Sequence, residues 1–319
     1  MIRTAILAML IVSCALGGPV HAQSREIPRT SEGRPDFQGI WESNGLSSTE
    51  RLPGASGLVV DDAEAKKLSD AFWAKRFEGL YDPHENLGMA RQLSRVNGQW
   101  RTSTLTEPPD GKMPLSEKAR KLIAEENAQI NSITPESYET RKWQERCLAG
   151  PGRPPMPQSV TDNLRQIVQT QTHLVVLTET DGAEARIISI NGAHGPDVIQ
   201  TFLGDSTARW EGDELVIETI NMRGEQFVRM GLILTRTGSR IIERLSFISQ
   251  DEVLYRFTVE DPEGAAIYTR PWSGEYSFNR SKAPIFEWAC SAGNYSLPNI
   301  LRAAREDERR AAKKPKRKP

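Results

Sequence analysis

The chain has 319 residues, 41 Lys and Arg against 42 Asp and Glu for a net charge of -1, and 38% hydrophobic residues. That length accommodates one large domain or two small ones. The near-neutral balance excludes a global electrostatic pull toward nucleic acid or an anionic membrane, and no segment approaches the roughly 20 apolar residues of a transmembrane helix.

In chain order, Arg3 precedes an apolar run from Thr4 to Val12, and Val20-His21-Ala22 stands before the polar Gln23-Ser24-Arg25. This three-part layout predicts a signal peptide over residues 1–22, and hence a periplasmic or secreted protein. Ile11-Val12-Ser13-Cys14 also looks like the motif at which bacterial lipoproteins are cut and lipidated, so a lipid on Cys14 is the alternative. Once Cys14 leaves, Cys147 and Cys290 remain. An even count in an oxidising compartment favours a Cys147–Cys290 disulfide over two buried thiols or a nucleophile.

The domain is expected to begin at Gly33, where Gly33–Glu42 mixes turn formers with alternating apolar residues, as a first strand does. Ala65, Leu68, Phe72 and Trp73 recur at helical spacing between Asp61 and Glu78, with Asp61 and Asp62 suited to the N-terminal end. A second helix is predicted from Ser116, so the helical part covers about 61–135. Tyr81–Pro114 reads as loop, and Leu148–Pro157, with its prolines and glycines, as irregular.

From Gln166 onward the pattern changes. Gln166–Thr170, His173–Thr178, Arg186–Ile190, Thr207–Trp210, Glu214–Thr219, Arg240–Phe247, Val253–Glu260 and Ser273–Phe278 are short, β-branched or aromatic, and separated by turns. Asp181-Gly182, Asn191-Gly192, Glu211-Gly212-Asp213 and Gln250-Asp251 carry hairpin signals. The fold class is therefore mainly β: an antiparallel meander closing into a barrel-like sheet in preference to a sandwich, with short N-terminal helices, over a single domain from 33 to 301. Residues 302–319 carry nine Lys and Arg against three acids and end in Lys-Lys-Pro-Lys-Arg-Lys-Pro. They are predicted to form a basic, disordered tail, with membrane-surface contact as the alternative.

Gly204-Asp205-Ser206-Thr207-Ala208-Arg209-Trp210-Glu211-Gly212-Asp213-Glu214-Leu215-Val216 closely resembles the signature of a large set of uncharacterised secreted bacterial proteins. Gly33–Trp41, Arg146-Cys147 with Gly152–Met156, Gln166–Thr170, Glu243–Leu245, Val259–Pro262 with Tyr268–Trp272, and Ala289-Cys290 with Gly293–Tyr295 agree with it in the same order. The resemblance implies an exported protein and brings no activity with it. Where that set often reads Ala-Cys-His-Glu-Gly-Asn, this chain has Ala289-Cys290-Ser291-Ala292-Gly293-Asn294, so a mechanism built on that histidine and acid is excluded here. The strand pattern also resembles lipocalin-like barrels, a likeness of fold that transfers no function.

The histidines beyond the leader, His84, His173 and His194, stand far apart, which argues against a zinc site. No Gly-x-Ser-x-Gly elbow, P-loop or dinucleotide fingerprint is present, and no cofactor is expected. The polar residues attached to the strands suggest two linked roles. His194, Asp205, Arg186 and Arg209 are the candidate catalytic set, a general base, its orienting acid and oxyanion-stabilising arginines. Trp210, Tyr268, Arg270 and Trp272 are the candidate ligand-binding wall of a cavity. The bland alternative makes the acids turn partners, stacks the arginines on Trp210 and Trp272, and leaves His194 exposed in a loop. Glu243-Arg244 reads as part of a set of cross-strand ion pairs. A small-molecule ligand is the expected partner, with nucleic acid not expected. A cofactor-independent lyase, isomerase or hydrolase is the alternative to a binding protein.

Overall fold

The computed structural model describes residues 26–43, 45–46, 48–76, 90–130, 141, 145–148, 152–158, 164–179, 185–223, 235, 238–261, 267–287 and 289–313. The predicted leader, the Asp181-Gly182 turn and His84 lie outside them. In chain order the elements are β1 (Gly39–Glu42), β2 (Val59–Val60), α1 (Asp62–Arg76), β3 (Ser94–Val96), β4 (Gln99–Arg101), β5 (Leu105–Glu107), α2 (Glu117–Ile130), β6 (Leu164–Gln169), β7 (His173–Thr178) and β8 (Ala185–Ile190). They continue with β9 (Asp205–Glu211), β10 (Glu214–Ile220), β11 (Arg240–Ser249), β12 (Glu252–Glu260), β13 (Trp272–Arg280) and α3 (Ser296–Lys313).

Strands β6 to β13 pair in sequence order, and β1 closes the sheet by pairing with both β6 and β13, making a barrel of nine strands. Closure removes the exposed edges that a long open meander would present. Period-two alternation decides the inner face: Leu215, Ile217 and Thr219 stand opposite Leu245, Glu243 and Ile241, which in turn face Tyr255, Phe257 and Val259. Trp41, Ile167, Leu174, Val176, Ile188, Tyr276 and Phe278 complete the same core.

One step departs from the antiparallel meander: β8 and β9 run parallel. Asn191-Gly192 was expected to turn a hairpin. Instead Asn191 takes a left-handed φ of 58° and residues 191–204 run on to the start of β9. A parallel neighbour needs a crossover of about a dozen residues, which this segment provides. It ends at Gly204, whose φ is +72° and whose missing Cβ would stand 2.6 Å from Thr219 Cγ2 and 2.8 Å from the Ile220 carbonyl oxygen. Gly204→Ala is therefore expected to lose about 2–3 kcal/mol, from left-handed strain plus overpacking, in urea denaturation. A loss within error would mean that this turn relaxes freely.

A second, smaller core lies under α1, where Ala65 and Leu68 pack with Leu46, Leu52, Val60, Leu93 and Trp100. Asp61 caps the helix, accepting from the Glu64 N–H at 2.8 Å, and Ser116 caps α2 in the same way through Ala119 at 3.0 Å. The stretch expected to be loop up to Pro114 contains β3, β4 and β5. Asn97 and Gly98, with φ of 49° and 73°, turn the β3–β4 hairpin, and β5 pairs with the start of β13, where β1 does not reach, and adds Leu105 to the main core.

Residues 302–313, expected to be disordered, are helical within α3. Ala, Leu, Arg and Glu have high intrinsic helix propensity, and Glu306 pairs with Arg309 and Arg310 at 3.1 and 3.3 Å, so this segment forms a helix without a core of its own. Cys147 and Cys290 are disulfide-bonded, with Cα atoms 5.7 Å apart.

Candidate functional site

Strand β9 has polar residues on both faces, and the two faces form different sites. Inward, Arg186 of β8 is fully enclosed. Its guanidinium donates to Ser206 Oγ at 3.0 and 3.1 Å, to Thr219 Oγ1 at 2.8 Å and to both carboxylate oxygens of Glu243. Tyr255 donates its hydroxyl to the same carboxylate at 2.7 Å and accepts the Met156 N–H at 2.9 Å. Tyr276 donates to the Met156 carbonyl at 2.8 Å. The segment Gly152–Met156 is thereby drawn into the barrel as an internal plug, with Met156 only 1% exposed.

Burial acts to lower the Arg186 pKa, but the Glu243 carboxylate outweighs it and leaves it raised. Burial, reinforced by the Glu243 charge, pushes the Tyr255 hydroxyl well above its ordinary value. Two further arginines are buried nearby. Arg165 donates to the Pro157 carbonyl at 2.8 Å and lies 5.2 Å from the Phe278 ring centre. Arg153 donates to Thr235, and its desolvation pushes the guanidinium down to about 9.

Outward, the crossover brings His194 back over β9. Its Nδ1 approaches Asp205 Oδ2 at 3.1 Å, off the hydrogen-bond line, while Nε2 lies 3.1 Å from Thr207 Oγ1 and 3.7 Å from Glu218. Asp205 also accepts the Gly195 N–H at 2.7 Å. Glu218 in turn takes a 2.6 Å bond from Arg240, which also reaches Glu260 at 3.0 Å. His194 and Asp205 therefore come together, and Arg186 does not join them: Asp205 and Thr207 alternate with Ser206, so the arginine lies on the opposite face of the strand. Arg209 is exposed and pairs with Glu211 at 2.5 Å, joining a ladder that continues through Arg244 to Glu214. Arg244 thus makes the cross-strand pairs expected of it, whereas its neighbour Glu243 points inward.

The bond from Arg240 holds the Glu218 carboxyl below its usual range. A depressed folded pKa means stability present above the unfolded value and lost as pH falls through the folded one. Acidification below roughly pH 4 is expected to destabilise the protein, and Arg240→Met to shallow that limb while changing stability at pH 7 by less than about 1 kcal/mol. Denaturation midpoints across pH measure both; an unchanged acid slope would remove this pair from the account.

The four residues expected to wall a cavity do not form one surface. Trp272 is buried edge-to-face against Phe257 at 5.4 Å and lies 5.6 Å from Tyr268, which is also buried. Trp210 is half-buried, stacked 6.0 Å from Phe37 with Arg34 5.6 Å from its ring centre. Arg270 is exposed. A cavity that described residues do line lies outside the barrel, between the small sheet and the β12–β13 end. This open groove of about 710 Å³ is bordered by Arg91, Leu93, Arg95 and Trp100 of the small-sheet segment and by Glu252 and Asn279 of β12 and β13. Arg95 stacks 3.6 Å from the Trp100 ring centre, and Glu252 accepts from the Asn97 N–H at 2.9 Å and the Ser277 hydroxyl at 2.6 Å.

Sequence reasoning missed Arg165, Tyr255 and the whole groove. For Arg165 a signal existed: it shares the inward phase with Ile167, as Arg186 does with Ile188 and Glu243 with Leu245. A charge in register with a core row marks a buried polar group. The groove left no such trace, because its sides come from segments far apart in the chain. No family model, no curated protein and no solved structure matches this chain.

Proposed function

We propose that this is an exported barrel protein that binds a small, partly apolar or aromatic molecule, and that the groove beside Trp100 holds it. The observation that carries the reading is the groove itself. Its volume falls within the range of about 300–1,000 Å³ typical of ligand clefts, and it lies between the small sheet and the β12–β13 end, where Arg91, Arg95, Glu252 and Asn279 converge beside Trp100. The barrel interior is by contrast occupied by the Met156 plug and the Arg186–Glu243–Tyr255 network. The signal-like N-terminus and the disulfide support export.

The test is a thermal-shift screen of small aromatic, terpenoid and sugar ligands. A molecule that binds only the folded state adds about 2.7 kcal/mol at 100 times its Kd. A hit is expected to weaken in Arg95→Ala and to persist in Arg270→Ala; the reverse would move binding to the barrel rim, and a flat screen would count against binding altogether.

One distance favours a second reading, acid–base chemistry on a molecule held not in the groove but at the opposite end of the barrel, where Asp205 and Glu218 lie toward Arg240 and Glu260. His194 stands 3.1 Å from both Asp205 and the Thr207 hydroxyl, the spacing of a base with an orienting acid on one ring nitrogen. Consumption of a bound ligand that disappears in His194→Ala and falls in Asp205→Asn is its expected result. If the two variants only lower the melting temperature, His194 serves to fasten the crossover to β9.

A further inference from the structure

Helix α3 buries no residue against the rest of the protein. Its root is nonetheless held firmly. Cys290 is bonded to Cys147, and Asn294 donates to the Glu145 carbonyl at 3.0 Å while its own side chain caps Ser296. A helix anchored at one end, with no residue of its own in either core, is free to present its length to something outside the fold.

Its residues show two faces. Leu297, Ile300, Leu301 and Ala304 recur at the i, i+3, i+4, i+7 spacing of a single stripe, only partly covered. Arg302, Arg305, Arg309 and Lys313 lie on the other side, and four more cations follow in residues 314–319. With nine Lys and Arg against three acids from 302 onward, the segment carries a net charge of +6 on a chain whose total is -1. Tyr295, 71% exposed, stands at the root.

We propose that α3 is a membrane-surface helix that seats its apolar stripe in the headgroup region of an anionic phospholipid bilayer, with the cations held by lipid phosphates. The combination selects this partner. Nucleic acid or another polyanion would use the charge and leave Leu297, Ile300 and Leu301 exposed to water, whereas an anionic bilayer offers charge at its surface and hydrocarbon beneath. Arginine stems reach from the polar side back to the headgroups while their aliphatic parts remain covered. The helix is too polar to cross the bilayer, and no described helix is long and apolar enough to do so.

The experiment uses the chain lacking only residues 1–22, whose own apolar run would partition into lipid, with the disulfide intact. Sedimentation is measured with vesicles of phosphatidylcholine alone and with added phosphatidylglycerol, at low and high salt, and heparin retention is run in parallel. Binding is expected only with phosphatidylglycerol and to weaken with salt. It is expected to fall at least about tenfold both in Ile300→Gln/Leu301→Gln, which keeps helix propensity, and in Arg305→Glu/Arg309→Glu. Both variants should melt within about 1 °C of the parent, since α3 places no residue in either core. Absence of binding to the anionic vesicles overturns the proposal. So does full binding by the Gln variant, which together with heparin retention would make the segment a general polyanion contact.

Discussion

Glu243→Leu is expected to destabilise the protein by about 3–5 kcal/mol, because it leaves the Arg186 guanidinium inside the barrel with no carboxylate to balance it. Arg186 and Glu243 have side-chain exposures of 2% and 0%, so water cannot take the place of the lost partner. Ser206 and Thr219 would still accept from the guanidinium, but neither carries charge. Arg186→Met should cost a comparable amount for the mirror-image reason, stranding the carboxylate with only the Tyr255 hydroxyl. The double variant Arg186→Met/Glu243→Leu is expected to lose far less than the sum, since two apolar side chains of similar length remove both desolvated charges at once. Urea denaturation of the four proteins closes the cycle. Additive losses would show that the two residues act separately and that the network described here does not govern the interior.

The second large effect concerns the disulfide. Cys147 and Cys290 are separated by 143 residues, and the crosslink restricts nearly half the chain in the unfolded state. On the chain-entropy account such a loop contributes about 4–5 kcal/mol, although measured values for native bonds more often fall near 2–4. Cys147→Ser/Cys290→Ser is therefore expected to lower stability by about 2–4 kcal/mol, with the same loss on adding reductant to the parent. Both cysteines sit outside the barrel wall, in the segments that root α3. A loss below about 1 kcal/mol would show that these segments separate before the barrel opens, so that the crosslink no longer constrains the unfolding unit.

The strand plan was legible because alternation and turn chemistry are local. His173–Thr178 matches β7, and Val253–Glu260 differs from β12 by one residue, since each row of inward apolar groups is written along a single strand. The β3–β4 hairpin was equally legible in Asn97-Gly98, and was obscured only by the Gly- and Pro-rich company around it. Asn191-Gly192 shows the opposite case: the same dipeptide opens a crossover, because Ile190 continues toward β9 as a parallel neighbour. Turn chemistry allows the chain to bend and leaves the next partner to be chosen by packing.

For the candidate site, the proximity of His194 to Asp205 was readable as a loop returning to the strand it precedes. The face of each β9 residue was not, because the inward row of that strand is Ser206 and Ala208, too weakly apolar to mark its parity. One residue of register separates Asp205 from Ser206, and that single step places Arg186 and His194 on opposite sides of the wall.

Taken alone, then, the amino-acid order determined that this is a mainly β chain with two capped helices and two cysteines suited to pairing. These are properties of local periodicity and composition. Only the tertiary structure decided that the barrel closes through β1, that Arg186, Glu243 and Tyr255 meet inside it, that Trp100 and Glu252 border one groove, and that α3 stands clear of the core. Each of those depends on contacts between residues distant in sequence, which burial and charge pairing select only after the whole chain has folded.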